Sequence, residues 1–230
     1  EIDSLTLSGS EFYEKNHRQY LGTGIRPLDV LLSGGILRGH ITQIVGPSSS
    51  GKTSLLLSIL AQATARGEWV AYIDPFSSLD PAFAQKAGID LKHLLWIRGP
   101  KRVFKALDIL VGAGGFGVVV LDLVTQGKTM NPRILQRTPF TVWFRLKRAA
   151  RRTSTALLIL GQAVNAGSAV TGVISLRRRE TQWSSTTDPA SSKDTGPRHA
   201  RLLHGICNEL ELLRGKNAHA HATFYCHFQL

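Results

Sequence analysis

The run Gly46-Pro47-Ser48-Ser49-Ser50-Gly51-Lys52-Thr53 puts two glycines, a lysine and a threonine at the spacing G-x-x-x-x-G-K-[ST]. The chemistry open to that spacing is the holding of a phosphate chain. Glycines let the backbone turn so tightly that successive N–H groups point into one concavity. A helix that follows adds the positive end of its dipole. Lys52 is long enough to reach the outer phosphates, and the Thr53 hydroxyl suits Mg²⁺. Gly46 through Ser54 are therefore candidate nucleotide-binding residues, with Thr53 a candidate metal ligand. Asp122 is the natural second metal group. It closes the apolar run Gly117 to Leu123, where a carboxylate is costly to bury without a purpose. Asp74 closes Trp69 to Ile73 in the same way. For both aspartates the plain alternative is a cap on the following turn.

These residues need elements to position them. Ile41–Val45 reads as a short strand that feeds the loop, and a helix with Leu55, Leu56, Ile59 and Leu60 on one face runs from about Lys52 to Arg66. Further strands are expected at Trp69–Ile73, Leu94–Ile97, Gly117–Leu123 and Ala156–Leu160. Helices are expected at 26–32, from Asp80-Pro81 to Gly88, at 101–113 and at 139–152. Leu21 to Gly24 reads as a turn. This alternation predicts an α/β fold, a mainly parallel central sheet flanked by helices. Gly172–Arg179 reads as one more strand. Period-two patterns at 206–213 and 222–228 read as a C-terminal antiparallel hairpin. Residues 181–200, rich in Ser, Thr, Asp and Pro, read as a mobile loop, and 1–20 as an N-terminal arm ahead of a single domain over 21–230.

The chain has 230 residues, 43% of them hydrophobic, which is enough for a core without staples and excludes wholesale disorder. Two cysteines, Cys207 and Cys226, cannot make a disulfide framework and fit a reducing setting. No apolar run reaches membrane-spanning length and the start is not a signal peptide, so no membrane partner and a cytoplasmic location are expected. The net charge is +12 and unevenly placed: 12 basic and 11 acidic residues lie in 1–127, against 16 and 5 in 128–230. A positive second half points to a polyanionic partner, nucleic acid or an acidic protein surface. His219 and His221 lack a convincing set of further ligands for zinc.

Thr23 to Asp29, Gly34 to Gly39, the phosphate loop, Tyr72-Ile73-Asp74 and Leu79 to Asp90 together resemble the bacterial RecA recombinase family. The likeness runs from about Thr23 to Leu160. It implies a RecA-like fold with ATP and Mg²⁺ as cofactors. By that likeness Gly46 to Ser54 cradle the phosphates, and Asp80 and Phe83 lie on the adenine side with Phe83 stacking on the base. Asp122 is the Mg²⁺-associated carboxylate, and Gln162 senses the outer phosphate. Arg214 and Lys216 reach a neighbouring subunit's nucleotide. Lys52, Asp74, Asp122 and Gln162 make up the catalytic set. Each also has a plainer reading: core packing for Phe83, a strand end for Gln162, turn charges for Arg214 and Lys216.

The departures from that family carry as much weight. Where the family has Asp-x-Glu, with the glutamate as general base, this chain has Asp74-Pro75-Phe76. A phenyl ring cannot accept a proton, so weak or absent hydrolysis is expected, and Asp74 would have to move to substitute. The segments after Asp122 and Gln162 lack the family's DNA-loop pattern. A shortened core of this kind resembles the ImuA family of translesion-synthesis accessory proteins. That likeness rests on Trp143-Phe144-Arg145-Leu146, Thr155 to Leu160, Asn165 to Ala169, Arg201-Leu202-Leu203 and Leu213-Arg214-Gly215.

Two basic stretches complete the inventory. Arg145, Arg148, Arg151 and Arg152 sit on the 139–152 helix, and Arg177, Arg178 and Arg179 end a strand ahead of Trp183. They suit DNA phosphates with an aromatic for base stacking, or an acidic protein surface, or a merely solvated face. The resemblance implies an ATP-binding accessory protein of DNA damage tolerance and SOS/translesion mutagenesis. Its expected partners are RecA or the RecA filament and translesion polymerase subunits, with single-stranded DNA as a further candidate. The competing expectation is a DNA-dependent ATPase with recombinase activity. A small-molecule kinase is disfavoured, because no lid or acceptor site is evident.

Overall fold

Strands whose every residue is apolar must be covered on both faces, and this sheet is built that way. The computed structural model describes residues 19–99, 102–125, 128–129, 138–162, 164, 167–185 and 201–227. In chain order the elements are β1 (Tyr20–Leu21), α1 (Arg26–Leu31), β2 (Ile36–Leu37), β3 (Ile41–Val45), α2 (Lys52–Ala65), β4 (Trp69–Asp74), α3 (Pro81–Lys86), β5 (Leu94–Arg98), α4 (Val103–Ala113) and β6 (Phe116–Asp122). They continue with β7 (Val124–Thr125), β8 (Lys128–Thr129), α5 (Phe140–Thr153), β9 (Ala156–Gly161), β10 (Gly172–Ser185), β11 (Arg201–Arg214) and β12 (His221–His227). Eight strands form the central sheet in the order β12-β11-β10-β3-β9-β6-β4-β5. Strands β10, β3, β9, β6, β4 and β5 pair in parallel, and β11 and β12 add in antiparallel fashion at one edge.

The period of two sends alternate residues to two separate cores. Tyr72, Val118, Val120 and Leu158 meet Leu55, Leu56, Ile59 and Leu60 of α2 on one face. Ala71, Ile73, Val119, Leu121 and Ile159 meet Leu107 of α4 and Trp143 and Leu146 of α5 on the other. Trp143 packs edge-on against Phe104, with ring centroids 5.6 Å apart. Every residue of β9 is buried. Strand β3 therefore lies mid-sheet with its carboxyl end opening into the Gly46–Thr53 loop, which fixes where a ligand can sit.

Three boundaries differ from expectation. Leu21, read as the start of a turn, pairs with Ile36, and Tyr20 with Leu37, as a two-stranded ribbon. Residues 181–185, read as part of a mobile loop over 181–200, belong to β10 and pair with β11, from Thr181↔Ile206 to Ser185↔Arg201. The β3–β10 pairing ends at Val45↔Ser175, so the far part of β10 needs no alternating apolar pattern, and its polar sequence hid the strand. The C-terminal hairpin is the outer part of a three-stranded antiparallel unit that includes β10. The expected arm over 1–18 and the stretch 186–200 lie outside the described residues. Among the described residues, no helix is long and apolar enough to cross a membrane.

Candidate functional site

The turn out of β3 forces unusual backbone. Gly46 has a φ of 153°, and a Cβ there would meet the Leu176 carbonyl oxygen of β10. Gly51, at φ 84°, caps α2 in the left-handed conformation, and a Cβ there would lie 2.7 Å from Asn208 Nδ2 of β11. Both positions exclude a side chain on conformation and on space. Pro47, Ser48 and Ser49 are exposed, Ser50 is buried, and Thr53, the second residue of α2, is exposed. Lys52 folds back over the loop, its Nζ donating to the carbonyl oxygens of Gly46 at 2.7 Å and Pro47 at 2.5 Å and to Ser50 Oγ at 3.3 Å. Burial lowers the Lys52 pKa, while the nearby Asp122 charge opposes that shift. The ammonium group thus bonds to the loop that would surround a phosphate.

Asp122 ends β6, two strands from β3, and is 5% exposed. Tyr72 donates its hydroxyl to Asp122 Oδ2 at 2.6 Å and the Val124 N–H donates to Oδ1 at 2.9 Å. Burial, outweighing these bonds, raises its pKa to about 6; Asp74 adds to the rise and Lys52 opposes it. The Tyr72 phenol is pushed well up, first by its own burial and then by Asp122. A buried carboxylate that resists ionisation beside a lysine is a fitting seat for a divalent cation, whose charge would offset the desolvation. In the fold this carboxyl holds its proton up to a higher pH than the ordinary 3.8. Its ionisation therefore destabilises the ligand-free fold, by about 3 kcal/mol above pH 6 relative to below pH 4. Asp122→Asn is expected to flatten the change in thermal stability between pH 4 and 6. An unchanged pH profile in thermal melts would refute the assignment.

Asp74 does not have the freedom expected of it. It is fully buried and accepts from Phe76 N (3.3 Å), Ser78 Oγ (3.2 Å), Leu79 N (2.9 Å) and Trp96 Nε1 (3.2 Å). Movement to serve as a base would strand four donors, so its place in the catalytic set gives way to a turn-organising role. Phe76 packs against the core that contains Ile73 and Val103.

The remaining candidates are spread around this centre. Asp80 caps α3, its carboxylate accepting from Ala82 N at 2.9 Å. Phe83 is 49% exposed, which removes the core reading and leaves its ring free to stack. Gln162 is exposed directly after β9, the strand between the loop strand and the Asp122 strand. Arg214 and Lys216 sit at the β11–β12 turn, at the end of the sheet where β3 and β10 begin and away from this chain's own loop. Arg214 Nη1 donates to the carbonyls of Gly167 at 2.5 Å and Val170 at 3.3 Å. On α5 two arginines turn to the neighbouring helix, Arg145 to Asp108 at 2.8 Å and Arg152 to the Gly112 carbonyl at 3.0 Å. Both stay exposed, and of the four α5 arginines Arg148 and Arg151 are those with no bond to the neighbouring helix among the described residues; exposed Phe140 and Phe144 lie on the same helix. Arg177, Arg178 and Arg179 are exposed on β10. Among the described residues, no cluster of three or more His, Cys, Asp or Glu could hold a metal.

Sequence reasoning missed Tyr72 and Asn208. A phenol inside an apolar strand needs a polar partner, which was a usable signal for Tyr72. Asn208 breaks the apolar alternation Ile206, Leu210, Leu212 on a buried face, and it is there that β11 touches the phosphate loop.

Comparison with known proteins follows the same geometry. The RecA protein of Methylococcus capsulatus (strain ATCC 33009 / NCIMB 11132 / Bath) is 45% identical over 106 residues, 44% of this chain and 30% of that protein's length. The match is thus to under a third of the relative. Residues 5–169, well over half of the chain, match the RecA N-terminal domain family, and with the phosphate loop, the Asp122 strand and the parallel sheet in their places the chain belongs to that family.

Proposed function

We propose that this protein binds ATP with Mg²⁺ and acts as an accessory protein in DNA damage tolerance and translesion mutagenesis, with weak or no hydrolysis. The observation that carries this reading is the mismatch within one site. Gly46 to Thr53 and Asp122 are groups suited to hold a nucleotide, while Phe76 occupies the position where the family resemblance expects a base and Asp74 is bonded on both oxygens. When bound, Mg²⁺·ATP supplies a polyphosphate charge that a lysine and a helix N-terminus can grip and a metal that a carboxylate can share. Lys52 would exchange its bonds to the Gly46 and Pro47 carbonyls for the outer phosphates. Thr53 and Asp122 would hold the metal, and Phe83 would cover the base.

The ligand then works as a switch rather than as fuel. Its readout is contact with other macromolecules: RecA or its filament, translesion polymerase subunits and single-stranded DNA, met in the cytoplasm through the basic second half of the chain. Arg148 and Arg151, exposed on the helix that carries exposed Phe140 and Phe144, support that reading, and Arg177 and Arg179 add exposed positive charge on β10. The test is capture of purified RecA on the immobilised protein, with and without ATP and single-stranded DNA. Capture that depends on ATP is the expected result. Absence of capture in all four conditions would remove the adaptor role. The match to a RecA protein favours a second reading, a working DNA-dependent ATPase, which DNA-stimulated phosphate release would establish in its place.

A further inference from the structure

The three arginines in the middle of β10 are consecutive in sequence but do not share a face. Strand β10 runs parallel to β3 up to Ser175↔Val45, so Arg177 to Arg179 lie past the carboxyl end of β3, level with the phosphate loop. The Leu176 carbonyl already abuts Gly46. On the other side β10 pairs with β11, with Arg178 directly opposite Asn208 and Arg177 opposite Glu209. Residues directly opposite in an antiparallel pair project to the same face. Asn208 is buried with its amide against Gly51, the last turn of the loop before α2. Arg178 therefore issues from the loop side of the sheet, on the strand between that of Asn208 and β3, and is itself exposed. Arg177 and Glu209 issue from the opposite side and line one cavity with Ser175, Glu211 and His221.

A register shift between Arg178 and Glu180 sharpens this arrangement. In a regular strand Glu180 would follow Arg178 onto the loop side. The bulge instead pairs Glu180 with Cys207, which lies directly opposite Tyr225 and shares its face. The extra residue thus turns a carboxylate away from the phosphate loop and leaves a lone guanidinium there, the kind of re-aiming that bulges provide beside sites.

We propose that Arg178 is a second cation for the bound nucleotide: it contacts the phosphate chain of the same chain's ligand from the β10 side, as Lys52 does from the head of α2, and is not part of a macromolecule-binding arginine cluster. This rests on the reading of the loop as a nucleotide site. A planar guanidinium with its donors in a fork is suited to a polyphosphate. It would make affinity depend on how many phosphates the ligand carries.

The test measures ATP, ADP and adenosine binding by calorimetry for the wild type, Arg178→Ala, Arg178→Lys and Arg177→Ala. Both arginines are exposed, so folding is not at stake. Arg178→Ala is expected to weaken ATP by about 10-fold or more, ADP by less and adenosine not at all, with partial recovery in Arg178→Lys. Arg177→Ala, on the far face, should bind ATP as the wild type does. Wild-type ATP affinity in Arg178→Ala, or an equal loss in both alanine variants, would overturn the contact while leaving the nucleotide site standing. An equal loss for adenosine would place Arg178 on the nucleoside and also overturn it. A wild type that binds no nucleotide would remove the site and this inference together.

Discussion

Lys52→Ala is expected to lower ATP affinity by about 100-fold or more while the fold remains intact. The side chain is 5% exposed and its ammonium group bonds to three loop atoms. A hydrogen bond to a charged group contributes roughly 1.5–3 kcal/mol, and the ammonium group can offer the outer phosphates two. Alanine removes both, and the loop amides and the helix end alone must hold the phosphate chain. The exposed Pro47 carbonyl can then turn to water, so the loss falls on binding rather than on stability. Calorimetry with Mg²⁺·ATP, alongside circular dichroism, separates the two. An affinity within about threefold of the wild type would mean that the phosphate chain is not held here.

The second large effect concerns hydrolysis. If a missing base is what limits turnover, Phe76→Glu should raise ATP hydrolysis by about 100-fold over a barely measurable wild type, the lower end of what a positioned base contributes. The geometry favours the attempt. The N–H of residue 76 is already fixed by Asp74 Oδ1 at 3.3 Å, so a new carboxylate would start from a tethered backbone. Its difficulty is packing, since the ring it replaces lies against the core of Ile73 and Val103. A steady-state phosphate-release assay gives the answer. No gain, with ATP binding retained, would show that positioning of the attacking water has been lost as well as the base.

The central part of the fold was largely legible in the sequence, and the rest was hidden for definite reasons. The strand–loop–helix from Ile41 to Ala65 follows from the glycine spacing and the leucine stripe, because local constraint and tertiary role coincide there. The alternation of strands and helices gave the parallel sheet, because a both-faces-buried strand has no other composition open to it. The far half of β10 was not legible. Its amides are satisfied by β11 without an apolar core to mark the register, so Thr181 to Ser185 looked like loop. Asp74 and Asp122 looked alike, each an aspartate closing an apolar run. Only the three-dimensional neighbours separate them: four donors converge on one, while the other keeps a tyrosine, one N–H and a nearby lysine. The α5 arginines looked equivalent too, until Asp108 and the Gly112 carbonyl claimed two of the four.

One feature of the sheet carries beyond the single chain. The phosphate loop opens at one end of β3 while Arg214 and Lys216 stand at the other, so two cationic residues lie at the opposite end of the sheet from the anion their own subunit would carry. A body with its socket at the front and its plug at the rear has a direction. Two such bodies joined through those ends meet with unlike surfaces, leaving one socket and one plug unspent, and the contact has no two-fold axis to close it.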